Sequence, residues 1–87
     1  MENYELVWKK SAEKDLKRIN NQYIPQIIRK AENLSSDPFP ENSRKIQGAE
    51  TSFRIRIGDY RIIYQVDSGR RIVIIFHVRH RKDAYRK

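Results

Sequence analysis

The apolar positions in the first half of the chain predict a short strand followed by two helices. Tyr4, Leu6 and Trp8 stand at alternate positions, as is typical of a strand. Two stripes with helical spacing follow, and Ser11 is suited to cap the first helix. The stripes consist of Ala12, Leu16 and Ile19 in the first helix and Ile24, Ile27, Ile28, Ala31 and Leu34 in the second. Because only Asn20-Asn21 separates them, we expect an antiparallel helical hairpin.

From Phe53 onward the apolar positions repeat every two residues, which predicts strands. Gly58-Asp59 is placed as a two-residue turn, where glycine at the first position suits type II′ geometry. A second turn at Ser68-Gly69 leads to a last strand, Ile72 to Arg79, which is apolar at nearly every position and therefore central. We expect one α+β domain over residues 1–87, in the order β-α-α-β-β-β, with the helical hairpin packed on a curved, mainly antiparallel four-stranded sheet.

Antiparallel pairing across the Gly58-Asp59 turn brings basic residues together. It sets Arg56 opposite Arg61, and Arg54 then shares their face. Like charges directly opposite each other destabilise a sheet, so something outside the fold should account for them. A phosphate backbone lying across this face would neutralise the cluster.

The second hairpin extends this basic face if its register keeps apolar residues together. The pairs in that register are Val66 with Ile72, Tyr64 with Ile74 and Ile62 with Phe76. His77 then lies opposite Arg61, and Arg79 points the same way. The alternative is that alternating arginines merely solvate an exposed sheet face, but the cluster as a whole favours a functional surface.

The distribution of charge points to a polyanionic partner. Net charge is +8. Residues 1–47 contain nine Lys and Arg against seven Asp and Glu, whereas residues 48–87 contain ten against four, and eight of those ten are arginine. Arginine binds phosphate through two parallel hydrogen bonds, so the second half is the predicted nucleic-acid surface.

Composition also excludes several classes of protein. The absence of cysteine removes disulfides, thiolate nucleophiles and cysteine-based zinc sites. With only two histidines, we expect no metal site and no cofactor. No stretch approaches the roughly 18 apolar residues of a membrane span, and the first residues lack a secretory pattern. We therefore expect a cytoplasmic protein that makes no contact with a membrane.

Three segments of the chain resemble the RelE branch of the RelE/ParE toxin superfamily. They are G-D-Y-R-I-I-Y from Gly58 to Tyr64, H-R-K-D-A-Y from His80 to Tyr85, and the short basic motif at Lys45-Ile46 and Gly48. The likeness covers almost the whole chain and includes the order of elements. It implies a RelE-like toxin that cleaves messenger RNA on the ribosome without a metal and is held inactive by a cognate acidic antitoxin.

The resemblance also implies roles for particular residues. Family members carry a basic pair, a strand arginine and a C-terminal arginine and tyrosine, although some have lysines where this chain has Arg54 and Arg56. Tyr85 and His80 are the alternative proton-transfer groups, since arginine cannot act as a base. The catalytic candidates are Arg61, Arg81, Tyr85 and His80, and the RNA-binding candidates are Arg54, Arg56, Lys45, His77 and Arg79.

Two other functions fit parts of the pattern. A ParE-like inhibitor of DNA gyrase would share the fold but cut no RNA, and the Arg81 to Tyr85 motif favours the nuclease over it. A plain nucleic-acid-binding module is the second alternative, with the helical hairpin Ser11 to Leu34 taken for a helix-turn-helix. The outer face of that hairpin mixes both signs of charge, unlike a basic recognition surface.

Overall fold

Two helices, a short 3₁₀ helix and five strands make up the described part of the protein, residues 3–48 and 51–80 of a computed structural model. In chain order they are β1 (Glu5–Trp8), α1 (Lys10–Lys17), the 3₁₀ helix (Asn21–Tyr23), α2 (Ile24–Ser36), β2 (Ser43–Lys45), β3 (Ser52–Ile57), β4 (Tyr60–Asp67) and β5 (Ile72–His80). The α+β class and the helical hairpin are confirmed. Neither α1 nor α2 has the length and apolar character needed to span a bilayer.

The strands form one mixed sheet in the order β1-β5-β4-β3-β2. β1 runs parallel to β5, and the other neighbours are antiparallel. The predicted number of four strands was wrong, because β2 makes a fifth. Its residues, Ser43, Arg44 and Lys45, have no apolar alternation and form a strand only through their ladder with β3.

The hairpin of β3 and β4 has the predicted register. Ile57 pairs with Tyr60 and Arg56 pairs with Arg61. Gly58 has a φ of 57°, in the left-handed region that favours glycine. The position of the Gly58-Asp59 turn and the apolar alternation on both sides of it favour the same register, so the local sequence is sufficient to predict it.

The hairpin of β4 and β5 corrects the predicted register. The observed pairs are Val66 with Val73, Tyr64 with Ile75, and Ile62 with Val78. The connecting loop spans four residues, 68–71, rather than two, and Arg71 supplies its left-handed position with a φ of 57°. A bulge at Phe76 then adds one further residue to β5. Arg79 consequently lies opposite Arg61, while His77 lies opposite Ile63.

The sheet face toward the helices carries the hydrophobic core. Ile55, Ile62 and Val78 form one row across three strands, and none is more than 3% exposed. Ile27 and Leu34 of α2 are buried in the same cluster. Burial of one such side chain stabilises the fold by about 1.5–3 kcal/mol, so this face supplies most of the packing energy.

Tyr64 is the one fully buried aromatic residue among those described. Its hydroxyl donates a hydrogen bond to the carbonyl oxygen of Pro38 at 2.8 Å, and its ring stacks on Phe53 with 5.9 Å between centroids. Burial raises the pKa of the Tyr64 phenol above its ordinary value. Through these contacts Tyr64 fastens the segment after α2 to the sheet.

Helix α1 continues the edge of β5 beyond the end of β1. The backbone N–H of Lys9 donates to the carbonyl oxygen of Ile75 at 2.9 Å, and Ser11 Oγ donates to that of Phe76 at 2.6 Å. Ser11 was predicted to cap the helix, and this was wrong: the N-cap residue is Lys9, and Ser11 attaches the first turn to the sheet.

Candidate nucleic-acid interface

The sheet face away from the helices carries arginines from four strands. Arg44 pairs with Arg54, and Arg56 pairs with Arg61, which in turn pairs with Arg79. Paired residues project from the same face of a sheet, and Arg54 and Arg56 are two positions apart on β3. These five residues form one contiguous surface, called the arginine face below. The prediction that Arg54, Arg56, Arg61 and Arg79 share a face is confirmed.

Most of the arginine face surrounds one cavity. Arg44, Arg54, Arg56 and Arg61 line a volume of about 500 Å³ together with Asn42 and Gly58. Such a volume lies within the range of roughly 300–1,000 Å³ that accommodates small-molecule ligands, and one nucleotide is of that size.

Backbone carbonyl groups position two of these guanidinium groups. Arg56 Nε donates a hydrogen bond to the carbonyl oxygen of Gly58 at 3.0 Å, and Arg44 Nη1 donates to that of Ser43 at 3.0 Å. Within residues 3–48 and 51–80, no carboxylate forms an ion pair with Arg44, Arg54 or Arg56. These contacts orient Arg44 and Arg56, and no carboxylate of the described residues compensates the positive charge of the three side chains.

This uncompensated charge opposes folding. Cross-strand pairs contribute roughly 0.2–1 kcal/mol each, and the sign is unfavourable for like charges directly opposite, as in Arg44–Arg54. Planar guanidinium groups offer forked donors that match the oxygens of phosphate. A chain of phosphates lying over the face would turn this repulsion into attraction.

At its β5 end the arginine face meets an acidic side chain from α1. Asp15 Oδ2 accepts a hydrogen bond from the backbone N–H of Val78 at 3.0 Å and lies 3.1 Å from His77 Nδ1 and 3.9 Å from Arg79 Nε. Arg79 Nη2 lies 3.1 Å from the same His77 Nδ1. His77, for which RNA binding stays a prediction, thus lies at the border of the arginine face with Asp15 as its partner.

Two predicted site residues lie on the other side of the sheet. His80 pairs with Tyr60, whose ring it meets edge-on at 5.3 Å, and Tyr60 in turn contacts Tyr23 at 5.5 Å. Lys45 pairs with Phe53, which packs against the core. The register therefore places His80 and Lys45 on the helix side, apart from the arginine face.

The remaining candidates are outside the described residues. Arg81 and Tyr85 fall in the segment 81–87, which the structure does not describe. Arg44, in contrast, was missed by sequence reasoning although it lines the cavity. The pairing of β2 with β3 would have identified it, because in that register Arg44 lies opposite Arg54 on the open face, whereas Lys45 lies opposite Phe53 on the helix side.

Comparisons with known proteins agree with this architecture. A family model described as the ParE toxin of type II toxin-antitoxin systems matches residues 6–85. The candidate toxin RelE1 of Methanocaldococcus jannaschii is 30% identical over 76 residues, which is 84% of each chain. The RelBE2 toxin-antitoxin complex from Mycobacterium tuberculosis contains a chain with 25% identity and a TM-score of 0.79, covering 90% of this chain and 98% of that one.

A second solved complex leads to the same class of protein. The RelB-RelE antitoxin-toxin complex from Methanococcus jannaschii aligns with a TM-score of 0.76 and 28% identity, covering 91% of this chain and 94% of that one. Two helices packed on a five-stranded mixed sheet are thus an architecture that this chain shares with type II toxins. This chain belongs to the RelE/ParE superfamily of type II toxin-antitoxin toxins.

Proposed function

We propose that the protein is a ribosome-dependent endoribonuclease that cleaves messenger RNA without a catalytic metal. The observation that carries this proposal is the cavity lined by Arg44, Arg54, Arg56 and Arg61. RNA is a polyanion that supplies its own nucleophile, the 2′-hydroxyl group. A site rich in oriented guanidinium groups suits the remaining requirement, which is to stabilise charge on the phosphate.

In this reaction the 2′-oxygen attacks the neighbouring phosphorus and the bond from phosphorus to the 5′-oxygen breaks. The products are a 2′,3′-cyclic phosphate and a 5′-hydroxyl group, with one proton leaving the 2′-oxygen and one reaching the 5′-oxygen. Arg61, joined by Arg81 of the C-terminal motif, stabilises the doubly charged intermediate. Arg54 and Arg56 hold the flanking backbone, and Tyr85 stacks on or exchanges a proton with the nucleotide.

We further propose that an acidic antitoxin holds the protein inactive. Two structures that resemble this chain are described as complexes of a toxin with its antitoxin. A net charge of +8, concentrated in the second half, favours a partner with many carboxylates. Such a partner would cover the arginine face and compete with RNA for it.

The nature of the RNA ends provides the test. Purified protein is added to ribosomes translating a defined message, and the new ends are mapped and analysed chemically. We expect cuts within the coding region that carry 5′-hydroxyl and 2′,3′-cyclic phosphate ends, and no cut where the 2′-hydroxyl at the scissile position is replaced by hydrogen. Ends with a 5′-phosphate would contradict the mechanism, because they require an external water as nucleophile.

Arg61→Gln should lower the cleavage rate by roughly 100-fold or more, the loss seen when one charge-stabilising donor is removed. Arg29→Gln is the matched control, since Arg29 is exposed on α2 and has the same charge change. Equal rates for the two variants would contradict the proposal. A wild-type protein that leaves messages intact but blocks DNA supercoiling by gyrase would replace it with the inhibitor function.

A further inference from the structure

The histidine at the border of the arginine face is held by a carboxylate that is nearly withdrawn from solvent. The Asp15 side chain is 15% exposed, whereas His77 is 33% exposed, so RNA can reach the imidazole but hardly the carboxylate. His77 shares its face with Arg54, through Ile63 between them, and with Arg79 two residues along β5. Asp15 and His77 are 62 positions apart in the chain, so no local pattern connects Asp15 with this site.

Hydrogen bonding at His77 Nδ1 determines which tautomer forms. Asp15 Oδ2 and Arg79 Nη2 both lie 3.1 Å from His77 Nδ1. Nδ1 can satisfy only one of them: it donates to the carboxylate if it is protonated, and it accepts from the guanidinium if it is not. A lone pair there would face the Asp15 oxygen, with two acceptors in contact. With the proton on Nδ1, Asp15 accepts from His77 and from the Val78 N–H. Arg79 Nη2 then loses Nδ1 as an acceptor, but the guanidinium keeps Asp15 as its charge partner, with Nε 3.9 Å from Oδ2.

We propose that Asp15 fixes the proton on His77 Nδ1, so that His77 Nε2 accepts the proton of the 2′-hydroxyl group during RNA cleavage. This inference rests on the proposed ribonuclease function and assigns its base. The proton moves to Nε2 as the bond between the 2′-oxygen and phosphorus forms, the bond to the 5′-oxygen breaks, and that oxygen takes a proton from water. After release of the products, Nε2 returns its proton to solvent.

Location favours His77 over the other candidate histidine. His80 is on the helix side of the sheet beside Tyr60, whereas His77 lies on the same side as the arginine face, at its border and two residues from Arg79. The charged groups that face His77 are Asp15 from α1, Arg79 on its own strand, and Arg61 and Arg54 on the same face of β4 and β3. Asp15 is the only carboxylate that the described residues place against it, and it compensates the imidazolium formed when the proton arrives.

The tautomer is measured directly by nitrogen NMR of the free protein labelled in its histidines. We expect the Nδ1-protonated tautomer of His77 in the wild type. Asp15→Ala removes the acceptor and leaves the Arg79 guanidinium, 3.1 Å away, as the polar neighbour of Nδ1, so it should shift His77 to the Nε2-protonated form. Glu13→Gln, at an exposed carboxylate two residues away on α1, should leave the tautomer unchanged. Wild-type His77 in the Nε2-protonated form would overturn the inference, whatever the cleavage activity.

The kinetic test is single-turnover cleavage of ribosome-bound message as a function of pH. General-base catalysis contributes roughly 10²–10⁴-fold, so His77→Gln should lower the maximal rate by that factor and abolish the fall in rate at acid pH, with little change in the concentration for half-maximal rate. Asp15→Ala should lower the rate as well, and Glu13→Gln should not. An active wild type with an unaffected His77→Gln rate and pH profile defeats this inference alone. A wild type that cuts no message defeats the proposed function and the inference together.

Discussion

The two faces of the sheet are built from the same strands but differ in character: one is apolar and buried, and the other is basic and open. Toward the helices, Ile55 and Ile62 are fully buried and pack against α2. Away from the helices, their immediate neighbours Arg54 and Arg61 belong to a surface of like charges. Because side chains alternate across a strand, a single run of residues carries both patterns without conflict.

The side chains that stabilise this protein and those that carry its proposed activity are therefore direct neighbours in the sequence, on opposite faces of one sheet. The helix side supplies favourable burial, while the arginine face sets Arg44 opposite Arg54, a repulsion that an anionic partner would relieve. A folded chain of 87 residues is stable by roughly 4–13 kcal/mol, so it tolerates such repulsion only if the opposite face of the sheet is well packed. Variants at adjacent positions should therefore have effects that differ in kind.

The largest expected effect comes from the adjacent pair Ile62 and Ile63 on β4. Ile62→Ala should lower the free energy of unfolding by about 2–5 kcal/mol, because Ile62 is completely buried and its loss leaves a cavity. Ile63→Ala, at a half-buried position on the open face, should lower it by about 1 kcal/mol. Urea unfolding of both variants measures the difference. An equal loss of unfolding free energy in the two variants would contradict the assignment of Ile62 to a buried face and Ile63 to a solvent-accessible one.

The second effect concerns the hydroxyl group of Tyr64, whose side chain is fully buried in the core. Tyr64→Phe should cost about 1–2 kcal/mol at neutral pH, because the buried carbonyl of Pro38 loses its donor. The pKa of Tyr64 is raised by burial, so the folded state favours the neutral phenol. Its contribution is complete below about pH 10 and is lost as the pH rises through the higher pKa of the folded state.

The difference in unfolding free energy between wild type and Tyr64→Phe should therefore shrink above pH 10. Measuring that difference cancels the titration of other tyrosines and lysines, which both proteins share. Parallel curves for Tyr64→Phe and the wild type up to the highest pH would contradict the buried, hydrogen-bonded phenol.

Sequence reasoning succeeded where a single local signal determined the geometry. Gly58-Asp59 combined a turn signal with alternation on both sides, so the Arg56–Arg61 pair was predicted correctly. The β5 strand offered no such signal, since it is apolar at nearly every position and accepts several registers. The bulge at Phe76 and the left-handed Arg71 depend on tertiary contacts, which is why His77 was placed opposite Arg61 instead of Ile63.

The site was harder to predict where it depends on distant parts of the chain. Arg44 joins the cavity only through the pairing of β2, a strand without periodicity. Asp15 reaches His77 because α1 replaces β1 along the edge of β5, which no spacing in the sequence indicates. His80 was chosen on chemical grounds alone, and its position beside Tyr60 follows from the bulge that reverses the alternation before it.

The smallest expected effect on stability has the opposite sign. Arg54→Gln should raise the free energy of unfolding by roughly 0.2–1 kcal/mol, because it removes the repulsion with Arg44 directly across the ladder. The gain should grow as salt is lowered, since screening weakens when the Debye length exceeds about 10 Å below 0.1 M. Arg29→Gln, with the same change in net charge on exposed α2, should give no gain.

The same variant should bind single-stranded RNA more weakly, and the slope of log affinity against log salt should fall by about 0.7, the value for one phosphate contact on a single strand. Arg29→Gln should leave that slope unchanged, although its net charge is identical. If Arg54→Gln raises the free energy of unfolding and also weakens RNA binding, then Arg54 contributes to RNA affinity at a cost in the stability of the fold. Equal slopes for the two variants would mean that overall charge, rather than this face, attracts RNA.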